Sequence, residues 1–228
     1  MKKILLFGTA LALSSSALFA QNTMSGSDAR IGIKAGVNLS TIRARGFDGA
    51  SAINDATKQN VGYNFTVFGD FGVGNNFFIQ PGVSLQNKGT KLQNTTAGVT
   101  TEATANIMAV EVPVNAVFRI PTGNEGAIQI SAGPYIGFNI DGKAKTKISG
   151  GANSGTTETD LKFGNDSGDN FTSTDFGANF GVGYRMGNGF LLGANYGMGL
   201  TNVQPKAERS GDSKLANRVW GFSLGYSF

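Results

Sequence analysis

The sequence predicts an all-β fold, an antiparallel barrel of eight strands. Eight segments of strand length alternate apolar residues with small or polar ones, and helical periodicity is absent from all of them. The segments between them are alternately long and short. Glycine supplies 34 of the 228 residues and is spread between aromatic residues rather than gathered in linkers, which suits tightly curved strands.

The last predicted strand shows the alternation most clearly. Trp220, Phe222, Leu224, Tyr226 and Phe228 occupy one face, and glycine and serine occupy the other. A soluble β-sandwich shows the same pattern, but low mean hydropathy and aromatic residues near the strand ends favour a lipid-facing surface. The eight predicted strands span residues 31–39, 60–71, 76–87, 106–120, 126–140, 174–186, 189–200 and 216–228.

The lengths of the connectors predict how the barrel is oriented. Connectors of 2 to 5 residues (72–75, 121–125 and 187–188) alternate with long ones (40–59, 88–105, 141–173 and 201–215). Outer-membrane barrels have short periplasmic turns and long external loops. The pattern therefore predicts an eight-stranded transmembrane β-barrel of the outer-membrane type with both termini in the periplasm.

Two of the long connectors are predicted to be hairpins that extend strand pairs beyond the membrane. In the third, Lys143, Lys145 and Lys147 alternate opposite Glu158 and Asp160, which is a cross-strand charge pattern. The second, residues 88–105, has threonine-rich arms around a turn near residues 94–98.

The first residues carry the pattern of an export signal. Lys2 and Lys3 precede an apolar run, and small and polar residues follow up to an expected cleavage before Gln21. The expected organisation is a signal peptide at 1–20, a short segment at 21–30 and a barrel at 31–228. Cleavage removes two of the 19 basic residues, so the net charge falls from +4 to 17 − 15 = +2, and no nucleic-acid partner is expected.

Six charged residues are predicted to face the lumen. Three cations balance three anions, and unpaired charges there would be costly, so a closed, ion-paired lumen is favoured. Lys34 and Asp70 are expected to lie near the periplasmic ends of adjacent strands, where they could form a pair. The six candidates are Lys34, Asp70, Glu111, Arg119, Asp175 and Arg185.

Two further features concern the space inside the barrel and the pairing of its strands. The inward positions of the last three strands are mostly glycine, asparagine and serine, which favours a narrow wet path or small pocket unless tight coiling alone requires the glycines. Pro81, Pro113 and Pro134 fall inside consecutive strands, where each should mark a bulge or a missing ladder bond.

The composition argues against most enzyme chemistry. The chain has no histidine and no cysteine, so histidine-dependent hydrolysis, cysteine nucleophiles and typical zinc sites are excluded. We expect no catalytic residues, no cofactor and no metal site. Basic residues near the first and last long connectors either contact lipopolysaccharide phosphates or form an ordinary charged rim; they are Arg43, Arg45, Lys206, Arg209, Lys214 and Arg218.

Several motifs, in order, resemble the outer-membrane β-barrel domain family that is often labelled porin-family or PorT-like. They are GIKAGVNLS (32–40), VEVPVN (110–115), SAGPYIGF (131–138), DFG (175–177), GVGY (181–184), YGMGLTN (196–202) and the final GFSLGYSF. The resemblance implies a barrel in the cell outer membrane and brings no catalytic or ligand residues with it. Some PorT-like members are linked to protein secretion. The terminal Phe228 resembles the recognition signal for the barrel-assembly machinery.

These observations favour a non-enzymatic outer-membrane barrel with surface-exposed loops and a closed or barely conducting lumen. Two alternatives stay open. One is a small-solute porin that uses the glycine-lined side of the lumen. The other is a surface-binding or secretion-associated barrel that acts through its external hairpins.

Overall fold

The computed structural model describes residues 29–123, 126–150 and 154–228. One short helix, α1 (Ala50–Ala56), and a 3-10 turn at Lys206–Glu208 accompany the strands, and no described helix is long and apolar enough to span a membrane. The expected signal peptide and residues 21–28 lie outside the described residues. The strands are β1 (Arg30–Arg45), β2 (Thr57–Lys58), β3 (Asn60–Gly74), β4 (Phe77–Thr96), β5 (Val99–Pro121), β6 (Gly126–Ser149), β7 (Gly155–Asp160), β8 (Thr174–Met186), β9 (Phe190–Gly199) and β10 (Lys214–Ser227).

Eight of these strands close into a barrel. Each pairs antiparallel with its neighbours in the order β1-β3-β4-β5-β6-β8-β9-β10, and β10 pairs back with β1. The Phe228 N–H donates to the Ile31 carbonyl at 2.8 Å beside this seam. The predicted eight-stranded antiparallel barrel is confirmed. We call the end with the short connectors 75–76, 122–125 and 187–189 the turn end, and the opposite end the loop end.

Three strands continue beyond the barrel at the loop end. β4 and β5 stay paired up to a tight turn at Ala97 and Gly98, whose φ values are +49° and +78°. β6 runs alongside them, and the two short strands β7 and β2 pair with β6 and β4. The two predicted hairpins are therefore confirmed, and they form one five-stranded extension.

The barrel wall is apolar outside and polar inside. Along β1, Ile31, Ile33 and Val37 are exposed, whereas Asn38 and Ser40 are buried. The band from residue 31 to residue 39 measures roughly 26 Å along the strand at ~3.3 Å per residue, which a tilt of ~40° reduces to about 20 Å. This inversion of the soluble pattern is typical of a lipid-facing wall.

Aromatic residues gather at both edges of the apolar band. At the turn end, the ring pairs Phe77–Phe118 and Phe190–Tyr226 have centroids 4.9 and 5.2 Å apart. At the loop end, Tyr196 and Trp220 are 4.8 Å apart. Such girdles mark the two membrane interfaces of a transmembrane barrel.

The three strand prolines interrupt hydrogen-bonded pairing without shifting it. The pairs recorded on either side of Pro81, Pro113 and Pro134 keep the same register. Of the two expected outcomes, the missing ladder bond is therefore the one found. The register shifts lie elsewhere, at Gly72–Gly74 and Met108–Ala109, so the alternation of faces survives each proline.

Candidate functional site

The lumen contains a buried ion network near the loop end, which we call the loop-end cluster: Lys88, Glu111 and Asp175. Lys88 Nζ lies 2.6 Å from Glu111 Oε1 and 3.3 Å from Asp175 Oδ2. These three side chains are between 0 and 9% exposed. They come from β4, β5 and β8, so the network crosses the interior rather than following one strand pair.

Neutral donors complete the coordination of Asp175. Asn217 Nδ2 donates to Oδ2 at 2.8 Å, and Thr201 Oγ1 donates to Oδ1 at 2.8 Å. The Tyr135 hydroxyl donates to Oδ2 at 3.3 Å. These donors hold the carboxylate in one position, and each offsets part of the cost of its desolvation.

A second set of buried groups, the turn-end cluster, consists of Asp70, Gln80 and Arg119. Arg119 Nη2 forms a short ion pair with Asp70, and Gln80 Nε2 donates to the same carboxylate at 3.1 Å. The guanidinium carbon of Arg119 lies 3.7 Å from the centroid of the Phe78 ring. Together the two clusters place ionic contacts near both ends of the lumen.

Lys34 and Asp70 lie on adjacent strands, as expected, but the ion pair that they could have formed is not present. In the β1–β3 register, Lys34 lies opposite Thr66, and Arg30 lies opposite Asp70. Asp70 pairs with Arg119 across the barrel instead, and Lys34 Nζ sits 4.4 Å from the centroid of the Phe68 ring.

The other predicted lumen residues are distributed between the two ends. Glu111 and Asp175 meet in the loop-end cluster, Arg119 lies in the turn-end cluster, and the half-buried Arg185 lines a depression at the turn end with Arg30. Sequence reasoning missed Lys88, which was placed in a loop. The alternation of the sequence could have identified it, because Lys88 follows Ser84 and Gln86 at every second position on the inward face of the strand.

Between the clusters, the lumen encloses a cavity of about 130 Å³. Amide and hydroxyl side chains and glycines contribute to its lining, among them Asn64, Gln86, Asn115, Asn179, Gly193 and Ser223. A polar cavity of this size holds several water molecules.

Ordered loops fold over the loop end. Ile42, Ile107, Val203 and Ala216 are buried there. The Thr172 N–H donates to the Val203 carbonyl at 2.9 Å, which joins the loop after β7 to the loop after β9. The loops after β7 and β9 are thus joined to each other at the loop end.

The two clusters do not have the composition of a metal site. Within residues 29–123, 126–150 and 154–228, no group of three or more acidic, histidine or cysteine side chains is arranged to hold a metal ion. The buried carboxylates of the two clusters instead contact basic side chains: Glu111 and Asp175 share Lys88, and Asp70 pairs with Arg119.

The closed wall, apolar band, aromatic girdles and polar interior define a transmembrane β-barrel. The model of a family described as outer membrane protein beta-barrel domain matches residues 19–204. The chain belongs to this family, and its members are barrels of the outer membrane. A comparison with curated proteins gave no match.

Three solved structures are similar to this chain over most of its length. Ail, the attachment invasion locus protein of Yersinia pestis, is 15% identical, with coverage of 88% of this chain and 99% of Ail at a TM-score of 0.38. Neisserial surface protein A is 10% identical, with coverage of 90% and 100% at 0.43. OprG of Pseudomonas aeruginosa is 11% identical, with coverage of 87% and 95% at 0.33.

Proposed function

We propose that this protein is a non-enzymatic outer-membrane barrel whose lumen is closed at both ends and whose activity resides on its loop-end surface. The pair of buried ionic clusters carries the proposal. An eight-stranded barrel has an interior just wide enough for side chains to fill. Opening it for a solute would require separating charges that have been removed from water, which is strongly unfavourable when one partner is left alone.

The proposed orientation places the loop end outside the cell and both ends of the chain in the periplasm. The chain has no cysteine, so a single introduced thiol gives an unambiguous signal. Thr157 in β7 and Asn188 in a short turn are both exposed. With a membrane-impermeant maleimide, we expect Thr157→Cys to be labelled on intact cells and Asn188→Cys only after lysis. The opposite pattern would reject the orientation.

The five-stranded extension is the part of this surface best suited to contact a partner. It is held by backbone pairing from β2 to β7 and by exterior ion pairs, with Lys91–Glu102 at 3.0 Å and Lys145–Glu158 at 3.2 Å. Such a sheet presents a fixed surface, whereas a mobile loop must lose conformational entropy on binding.

A small-solute porin is the second candidate, because the cavity between the clusters is polar and lined partly by glycine. Proteoliposome swelling separates the two functions. For a closed barrel, vesicles containing the folded protein should take up glycerol no faster than protein-free vesicles. Faster uptake that scales with the amount of protein would favour the porin.

Phe228 is proposed to serve barrel assembly. Its side chain is 68% exposed, and its ring lies 5.1 Å from that of Tyr226, so it adds little to the protein interior. We expect Phe228→Ala to lower the amount of membrane-inserted protein sharply, whereas Phe222→Ala, on the same strand and face, should lower it much less. Equal effects of the two substitutions on the heat-modifiable band in membrane fractions would remove this role.

A further inference from the structure

Four basic residues form a stripe on the outside of the barrel where β1 and β10 leave the apolar band. Along β1, Arg43 and Arg45 are exposed and alternate with the buried Ile42 and Ala44. They therefore continue the outward face of the strand. We call this set, completed by Lys214 and Arg218 on β10, the seam stripe.

The register of the two strands brings the four cations together. Arg45 lies directly opposite Lys214, and Arg218 lies opposite Thr41, two residues from Arg43. Direct and diagonal cross-strand neighbours on one face are within reach of long side chains. Six positions of this stretch face outward, and four of them are therefore basic.

Among the described residues, backbone carbonyls rather than carboxylates accept the hydrogen bonds of the two cations on β10. Lys214 Nζ donates to the Leu200 carbonyl, and Arg218 Nη1 donates to the carbonyls of Gly199 and Asn217. None of the four cations forms an ion pair with a carboxylate of the described residues. By contrast, Lys91 and Lys145 on the extension each pair with a glutamate.

The position of the stripe relative to the membrane indicates which anion it binds. Trp220 follows Arg218 by two residues on the same face, and its ring packs against Tyr196 in the loop-end girdle. Arg218 thus lies roughly 5 Å above the Trp220 level, and Arg43 and Arg45 lie roughly 10 and 15 Å above it, at ~3.3 Å per residue and a tilt of ~40°. The stripe therefore extends outward from the headgroup region that borders the apolar band. Basic groups at this depth attract anionic headgroups, and arginine matches phosphate oxygens in bidentate geometry.

We propose that the seam stripe binds the phosphates of lipopolysaccharide in the outer leaflet, with the acyl chains lying against the apolar band below. This inference rests on the proposed orientation, since it requires the loop end to face the outer leaflet. Lys206 and Arg209 are not part of the site, because both lie in the loop after β9 rather than on a strand of the barrel wall.

Trp220, the one tryptophan of the sequence, reports on this site. Folded, detergent-solubilised full-length protein is titrated with bisphosphorylated lipid A in EDTA, so that divalent cations do not bridge the groups, and tryptophan fluorescence is followed. We expect a saturable fluorescence change. The affinity for lipid A should fall about thirtyfold in Arg43→Gln/Arg45→Gln, because each basic residue near an anionic lipid surface contributes about fivefold to the affinity. Added salt should weaken binding to the wild type.

The matched control removes the same charge elsewhere. Lys143 and Lys147 are exposed on the extension, away from the seam, and Lys143→Gln/Lys147→Gln should leave the affinity for lipid A unchanged. Inorganic phosphate should cause no fluorescence change, which separates a lipid headgroup from a free anion. Equal affinities of the wild type and the double arginine variant would overturn the inference.

The experiments distinguish failure of the proposed orientation from failure of the lipid site. If the maleimide pattern is as expected but lipid A binding does not depend on the stripe, only the lipid site is wrong. If Asn188→Cys rather than Thr157→Cys is labelled on intact cells, the stripe faces the inner leaflet, and the orientation and the lipid site are both rejected.

Discussion

We expect Lys88→Met to lower the free energy of unfolding by about 3–5 kcal/mol, the cost of leaving a buried charge without its partner. Methionine keeps much of the length of the side chain but removes the cation that lies 2.6 Å from Glu111 and 3.3 Å from Asp175. Two carboxylates would then remain in the interior with only neutral donors. Urea unfolding in lipid vesicles, followed by Trp220 fluorescence, measures the change.

Lys145→Met is the control for this substitution. Lys145 also pairs with a glutamate, at 3.2 Å, but the two side chains are 49 and 51% exposed. Solvent-exposed pairs contribute about 0–1 kcal/mol, so this variant should unfold close to the wild type. If Lys88→Met does not fold, Lys88→Met/Glu111→Gln should recover folded protein, because it removes one of the two stranded charges. Equal stabilities of Lys88→Met and Lys145→Met would mean that the loop-end cluster does not brace the barrel.

The second large effect is expected at Gly36, on the seam where β1 meets β10. A Cβ atom there would lie 2.0 Å from the Phe222 carbonyl oxygen and 2.8 Å from Ser223 Cα. Both are backbone atoms, so no side-chain rotation relieves the overlap, and the closing strands must move apart. We expect Gly36→Ala to cost about 3 kcal/mol, at the upper end of overpacking penalties, or to prevent closure.

Gly193→Ala provides the comparison. The nearest atoms to its added Cβ would be Ser223 Oγ and the Val182 carbonyl oxygen, both at 3.7 Å, which is ordinary contact distance. Its stability should stay the same or rise by up to ~1 kcal/mol through reduced freedom of the unfolded chain. A loss at Gly193 equal to that at Gly36 would contradict this distinction.

The two glycines also answer a question that the sequence left open. Inward glycine in the last three strands was consistent either with a narrow wet path or small pocket or with tight coiling of the barrel. Gly36 serves close approach, whereas Gly193 borders the cavity. One-dimensional alternation places both on the inner face but gives no distance to the next strand, so it cannot separate the two roles.

The strands were predictable because alternation is a local property. Where the sequence is polar on both faces, as in residues 88–105, the apolar alternation ends although pairing continues to Thr96 and Val99. The extension was therefore predicted as hairpins, but Lys88 was assigned to a connector instead of to the lumen-facing side of a strand. Its burial follows from the parity of Ser84 and Gln86 only once the strand is known to continue.

The ionic partners were less predictable because they meet across the barrel. Asp175 on β8 and Lys88 on β4 are separated along the wall by β5 and β6. Asp70 likewise pairs with Arg119 on β5, a strand that β3 does not touch in the sheet. Strand spacing suggests neighbours within the sheet, such as Lys34 and Asp70, whereas curvature determines which side chains meet across the lumen.

Single-channel recording in a planar bilayer tests the closed lumen most directly. The mature protein is refolded, its folded state is verified by heat-modifiable migration, and insertion is confirmed by protease protection in matching vesicles. The account predicts no discrete current steps from the wild type, because the loop-end and turn-end clusters both block the path. Reproducible openings whose ion selectivity changes in Glu111→Gln or Arg119→Gln would contradict it and make the protein a narrow porin.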